Sequence, residues 1–302
     1  MPLKLTFVLL GFALWGHAAE TTEPKSSASG FIRYWPGELP VVLSVPHDGA
    51  RNSADIPDRT NGVTVRDSHA AALGFELRDA LRARFGRAPH LIVCELSRKK
   101  VDCNRVIAEG AAGHPQAEQV WREYHALIDD AEREVLSRSK HGLYLDIHSH
   151  GHPKKRIEIG YLLKPADLRL PDERLDASVA ARSSIRWLSQ RTPATFPELL
   201  RGETSLGGLF AARGLASIPA PGETLAPGDP YFNGAYDIEA HGSRDKSRLD
   251  AAQLEVPAPM RDTPERRAAT ASAITDALES YFKKHFGAPL RGADEVAPAK
   301  AR

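Results

Sequence analysis

The sequence predicts one α/β domain: a mixed, largely parallel sheet with helices on both faces. Short apolar runs at residues 41–45, 91–96, 143–147 and 251–256 alternate with long amphipathic stretches at 67–85, 116–140 and 263–286. That alternation is the order of elements that builds a sheet covered by helices. The length, 302 residues, suits one large domain of this class, with 42% hydrophobic residues to supply its core. There are no internal repeats and no heptads.

Residues 1–4 carry one cation, 5–15 are apolar, and Gly16-His17-Ala18-Ala19 supplies small residues before Glu20. This is the layout of a secretory signal peptide, with cleavage near Ala19. The apolar run is too short to span a membrane, which takes about 20 residues. A periplasmic or secreted protein with no membrane insertion after cleavage is therefore expected. Residues 20–33 are polar and read as a linker, 34–287 as the folded domain, and 288–302 as a polar tail expected to be disordered. With 40 Lys and Arg against 39 Asp and Glu, the net charge is +1 and no basic patch stands out. Nucleic acid is thus excluded as a partner, and a small anion held by local arginines is not.

Residues 41–45 form a strand, entered from Pro40 and ended by Pro46. A loop rich in Asp, Asn, Gly and Pro follows to Val65. Residues 67–85 form a helix with Ala70, Leu73, Leu77, Ala80 and Leu81 on one face, and Gly86 stops it. The second strand, 91–96, leads into a charged connection, 97–105. A long helix at 116–140 shows Val120, Tyr124, Leu127, Ile128, Ala131 and Val135 on one face, and Gly142 ends it. The third strand enters the stretch Leu-Tyr-Leu-Asp-Ile-His-Ser-His-Gly-His-Pro, residues 143–153. A strand at 157–163, helical segments at 175–190 and 199–213, and a Pro- and Gly-rich loop at 217–241 come next. The strand 251–256 and the helix 263–286 close the domain. Cys94 and Cys103 either bridge in an oxidising compartment or remain two buried thiols.

The chemistry gathers at strand ends. His148, His150 and His152 follow the third strand, and His47 stands just past the first, in Val45-Pro46-His47-Asp48-Gly49. Two imidazoles delivered to one sheet edge, with a carboxylate, make a catalytic zinc site of three protein ligands and one position for water. Asp67 is the first choice for the carboxylate, against a competing role as helix N-cap. Asp48 is the second, against an Asx-turn. Strand parity puts His150 and Asp146 on the face of His148, so Asp146 can orient that ring, while His152 is expected at the surface. Four cations and Asn104 crowd into 97–105, where arginine forks can grip a carboxylate. Glu255 is a charged residue inside an apolar strand, suited to act as a general base.

Five pieces in order, SVPHDG (44–49), SRKKVDCNR (97–105), WREYH (121–125), LDIHSH (145–150) and AQLE (252–255), resemble the N-formylglutamate amidohydrolase family. That family is related in fold to the zinc carboxypeptidases, within the phosphorylase/hydrolase-like class. The resemblance covers roughly residues 40–260. It implies one catalytic Zn2+ on His47, Asp67 and His148, and Glu255 as the base that takes a proton from water and returns it to the leaving amine. It also implies Arg98 at the oxyanion or the substrate, and Asn104 and Arg105 on a substrate carboxylate. Carboxypeptidases carry a Glu three residues after their first His, where this chain has Ala50; their pattern fails there, and Asp67 rests on its own place at the start of the helix after the His47 loop. His150 and His241 are expected to line the substrate pocket, His241 being either a proton donor or an ordinary loop histidine. The signal peptide and the insert at 220–244 depart from a cytoplasmic formylglutamate enzyme. The substrate expected is therefore a small carboxylate-bearing amide or peptide, with an exported cell-wall or γ-glutamyl peptidase as the alternative. A non-catalytic periplasmic anion-binding protein is the remaining rival.

Overall fold

The computed structural model describes residues 23–245, 247–287 and 290. Eight strands form one sheet: β1 (Lys25–Ser26), β2 (Ile32–Trp35), β3 (Val41–Val45), β4 (His90–Cys94), β5 (Leu143–His150), β6 (Ile157–Gly160), β7 (Ser217–Ile218) and β8 (Asp250–Pro257). Their spatial order is β1-β2-β4-β3-β5-β8-β6-β7. The four central strands, β4, β3, β5 and β8, run parallel. β2 pairs antiparallel with β4 and β6 antiparallel with β8, so the sheet is mixed with a parallel core.

Alternation along each central strand explains the layers. Val41, Leu43, Val45, Leu143, Leu145, Ile147, Ala252, Leu254 and Val256 point to one face and are buried together. Helices α1 (Ala70–Phe85) and α4 (Pro264–His285) cover that face and pack on each other. Gly74 lets α1 sit close, since a Cβ there would come within 3.1 Å of Val45. Each large aliphatic side chain buried here contributes about 1.5–3 kcal/mol. The opposite face carries Val42, Ile92, Cys94, Tyr144 and Ala251, packed under helix α2 (Pro115–Arg138). That face changes character toward the carboxyl ends of the strands, where Ser44, Asp146, His148, Gln253 and Glu255 replace aliphatic residues, all of them buried.

The structure revises several segments. Part of the stretch expected as a linker, 20–33, forms β1 and the start of β2 along one sheet edge. The segment 175–190 is no continuous helix. It contains single turns at Ala177–Ala180 and Arg186–Ser189, because Ser184 is drawn to the sheet. The Ser184 amide donates to the Tyr161 carbonyl (3.1 Å), and its hydroxyl donates to Ala251 O (2.7 Å). Loop 217–241 contains β7 and a short helix, α3 (Tyr236–His241). Cys94 and Cys103 are both buried free thiols. The signal peptide and most of the tail lie outside the described residues. Among the described residues, no helix is long and apolar enough to cross a membrane.

Candidate metal centre

Three acceptor atoms converge above the carboxyl ends of β3 and β5. His47 Nδ1 lies 3.2 Å from His148 Nδ1. Asp67 Oδ2 lies 3.0 Å from His148 Nδ1 and 3.7 Å from His47 Nδ1. The outward nitrogens settle the tautomers. His47 Nε2 is 2.6 Å from Asp102 Oδ1, and His148 Nε2 is 2.5 Å from Asp146 Oδ2. A carboxylate only accepts, so each Nε2 carries a proton, and each Nδ1 faces the centre, where Asp67 Oδ2 stands against His148 Nδ1 and a metal would replace a proton. Two imidazole nitrogens and a carboxylate oxygen therefore face one another, all three residues buried. Only a cation or a proton satisfies such a centre. Tetrahedral zinc with bonds of about 2.0–2.1 Å has ligand–ligand edges of about 3.3 Å, and the observed edges scatter around that length. The donor set and its spacing fit the ion, and each ring is backed by a carboxylate as metal-bound histidines are.

Each residue is held by its local sequence. His47 follows β3 into a turn that Gly49 permits, since a Cβ on Gly49 would stand 2.2 Å from the Leu96 carbonyl oxygen. Asp67 is tied to that turn by its amide, which donates to His47 O (3.1 Å). Its carboxylate also accepts the Ser149 amide (3.2 Å). The two candidate carboxylates divide their work: Asp48, not Asp67, takes the helix-start role. Asp48 Oδ2 accepts the Ala71 amide (2.8 Å) and Oδ1 accepts Arg66 Nε (2.6 Å). Ser44 Oγ donates to Asp146 Oδ1 (2.6 Å) and so fixes the carboxylate behind His148.

The electrostatics match the seat of a cation. Burial opposes charge on His148, yet Asp146 and Asp67 hold its pKa well above the ordinary imidazole value. Burial likewise opposes ionisation of Asp67, and the imidazoles of His148 and His47 overcome it, holding the carboxyl far below the usual range. Asp102 is kept ionised against burial by His47, Arg98 and Arg59. Glu255 sits opposite His148 in the β5–β8 ladder and is 5% exposed. Its Oε1 accepts Gln253 Nε2 (2.9 Å), and its Oε2 has no partner among the described residues. Burial pushes this carboxyl up to about 8, with Asp67, Glu158 and Asp146 adding to it against the pull of His148.

The other expected site residues fall in different places. Arg98 is a buttress, donating from Nη1 to Asp67 Oδ1 (3.2 Å) and from Nε to Asp102 Oδ2 (3.1 Å). Asn104 is turned inward, 2% exposed, with both ends of its amide engaged. Its Oδ1 accepts the Asp237 amide (2.8 Å), and its Nδ2 donates to Gln253 Oε1 (3.2 Å) and Asp146 Oδ2 (3.4 Å). No donor of that amide is left for a substrate. Arg105 is half-buried, contacts Asn104 O (3.1 Å), and makes no ion pair among the described residues. His150 is spent on backbone, as its Nε2 donates to Arg156 O (2.9 Å). His152 is half-buried rather than at the open surface, paired with Glu158 Oε1 (2.8 Å) and stacked on Phe232. His241 does not reach the centre: its Nε2 meets His125 Nδ1 (2.9 Å).

Two residues went unassigned in the sequence. Asp102 stands in the quoted 97–105 motif, and the cations crowding it were the only signal. Arg261 donates from Nε to Val256 O (2.9 Å) and also to Ser68 O, so it ties the neighbour of Glu255 to the neighbour of Asp67. A cavity of about 790 Å3 lies among residues 172–202 and is lined by none of these side chains.

No family model and no curated protein matches the chain. Among solved structures, it is similar to an N-formylglutamate amidohydrolase from Ralstonia eutropha JMP134, with a TM-score of 0.51 and 16% identity over 85% of this chain and 99% of that one. A gene product of Agrobacterium tumefaciens gives a TM-score of 0.46 and 17% identity over 84% and 96%. A metallo-carboxypeptidase from Pseudomonas aeruginosa gives 0.40 and 15% over 87% and 64%. The chain thus shares the fold of the Ralstonia protein, along nearly the whole of that protein's length.

Proposed function

We propose that the protein is an exported zinc-dependent amidohydrolase that cleaves an amide bond in a small carboxylate-bearing substrate, an N-acyl amino acid such as N-formylglutamate. One observation carries the reading. Nδ1 of His47, Nδ1 of His148 and Oδ2 of Asp67 converge within 3.0–3.7 Å, and the unpartnered oxygen of Glu255 is held in the next strand, opposite His148. The fold shared with an N-formylglutamate amidohydrolase supports the substrate class, and export rests on the pattern of residues 1–19 alone.

His47, Asp67 and His148 would hold the zinc, which when bound polarises a carbonyl and lowers the pKa of water. The rest of the chemistry belongs to the chain. Asp102 and Asp146 keep the protons on the outer nitrogens, so the inner ones remain donors to a metal. Glu255 takes the proton of the attacking water at Oε2 and gives it to the leaving nitrogen, a task that a carboxyl of raised proton affinity suits. Arg98 fixes Asp67 and Asp102 and acts by positioning them. With Asn104 turned inward and Arg98 committed to Asp67 and Asp102, Arg105 is the arginine left in the motif to receive a substrate carboxylate.

The test is hydrolysis of N-formyl- and N-acetylglutamate by the purified protein, beside γ-glutamyl and murein peptides, with and without chelator. Release of glutamate that stops on chelation and in His148→Ala is expected. Turnover indifferent to both sinks the zinc reading, and cleavage of the peptides alone replaces the substrate class with the peptidase alternative.

A further inference from the structure

A second group of acceptors lies on the α2 side of the sheet, outside this centre. His241 ends α3 and is 2% exposed. Its tautomer follows from His125 on α2. His125 Nε2 is 2.9 Å from the Cys103 carbonyl, so that nitrogen carries the proton and His125 Nδ1 accepts. His241 Nε2, 2.9 Å from His125 Nδ1, is then the donor, and His241 Nδ1 is left with a lone pair. No group among the described residues donates to it. It lies 3.4 Å from Asp129 Oδ1 and 3.6 Å from Glu132 Oε1, and Glu132 Oε1 is itself buried without a partner among the described residues. The three acceptor atoms lie within 4.8 Å of one another. Buried acceptors facing one another cost free energy unless something positive lies between them. Burial, then His125, drives the His241 pKa well down, so the ring does not readily supply that charge itself.

We infer that Asp129, Glu132 and His241 form a second divalent-cation site that clamps α3 to α2. One imidazole and two carboxylates suit zinc or manganese. Asp129, 56% exposed at its side chain, leaves the outer side of the site open to water ligands. A third cluster, His150, His152 and Glu158, shows the contrast. His150 donates from Nε2 to a carbonyl and accepts the His152 amide (3.1 Å) at Nδ1, which leaves no lone pair for a metal. The clamp also bears on the first centre. The amide of Asp237 in α3 donates to Asn104, whose Nδ2 reaches the Asp146 carboxylate behind His148.

The experiment counts metal, so it does not depend on turnover. The full chain is stripped with chelator, titrated with zinc, desalted and assayed for bound metal. Two equivalents are expected for the unmodified chain, and one each for His148→Ala, His241→Gln and Asp129→Asn. Asp129 is exposed, so its variant leaves the core intact. The double variant His148→Ala, Asp129→Asn should bind none. A single equivalent that disappears in His148→Ala and persists in Asp129→Asn overturns the second site, a proton on Glu132 then bridging to His241, and leaves the catalytic reading standing. A single equivalent with the opposite dependence keeps the clamp and removes the catalytic metal. Two equivalents in Asp129→Asn and His241→Gln also overturn it.

Discussion

His148 and His150 share a strand and a face, two residues apart, and both are buried. Their chemistry is opposite. His148 has a carboxylate behind its outer nitrogen, and its inner nitrogen meets Asp67 and His47 in front. His150 has a carbonyl on one nitrogen and an amide on the other, so the chain consumes both. Burial lowers the pKa of His150, whereas carboxylates raise that of His148 against the same burial. A histidine is therefore a candidate ligand because of the group opposite its second nitrogen, and spacing along the strand does not decide it.

The largest effect separates the pair directly. His148→Ala should lose the zinc of this centre and with it all hydrolysis, while His150→Ala keeps both and loses about 1–3 kcal/mol of stability in urea unfolding. Equal metal loss in the two variants would erase the distinction. Next, Glu255→Gln should lower kcat by about 10²–10⁴-fold with metal content unchanged, as a base and not a ligand would. Asp146→Asn removes the acceptor behind His148, and zinc affinity at this centre should fall by about 10–100-fold in competition with a chelator. An unchanged affinity would mean that the backing carboxylate does not matter.

The smallest effect concerns the other end of β8, where Asp250 is buried with Ser243 Oγ (2.6 Å) and the Leu188 amide (3.2 Å) as its partners among the described residues. Burial raises its pKa to about 7. A carboxyl with a raised folded-state pKa contributes stability at low pH that is lost as pH rises through about 7. Asp250→Asn should therefore flatten the decline in stability between about pH 4 and 7, read from urea midpoints at each pH. A decline as steep as in the unmodified chain would mean that other groups cause it.

The central strands were legible because each is a short apolar run bounded by Pro, Gly or charge. The position of His47 and His148 at strand ends followed from that. Asp67 was legible as one of two carboxylates, and the choice between them depends on which one the loop 51–66 returns to the sheet edge. Asp102 was not legible as the backing of His47, because that contact joins a loop after β4 to a turn after β3. The strand β2, one in from the sheet edge, hid behind a polar approach, although Ile32 and Tyr34 on the α2 side alternate with Arg33 and Trp35 on the other. The segment 175–190 shows helical spacing, yet Ser184 finds better partners on the sheet than a helix would give it. The family resemblance puts Asn104 on a substrate carboxylate, and its inward turn depends on α3, a segment that reads as loop.

The pairing of His148 with Glu255 has a consequence for how preparations of this protein are judged. His47, Asp67 and His148 come from β3, β5 and the segment before α1, and none comes from β8. A chain in which β8 had settled one residue out of step would place Leu254 or Val256 beside His148 and turn Glu255 into the apolar layer. Such a chain would still take up metal at His47, Asp67 and His148. Metal content would then certify molecules that cannot turn over, and only the ratio of activity to bound metal would report whether the last strand had been laid down in step.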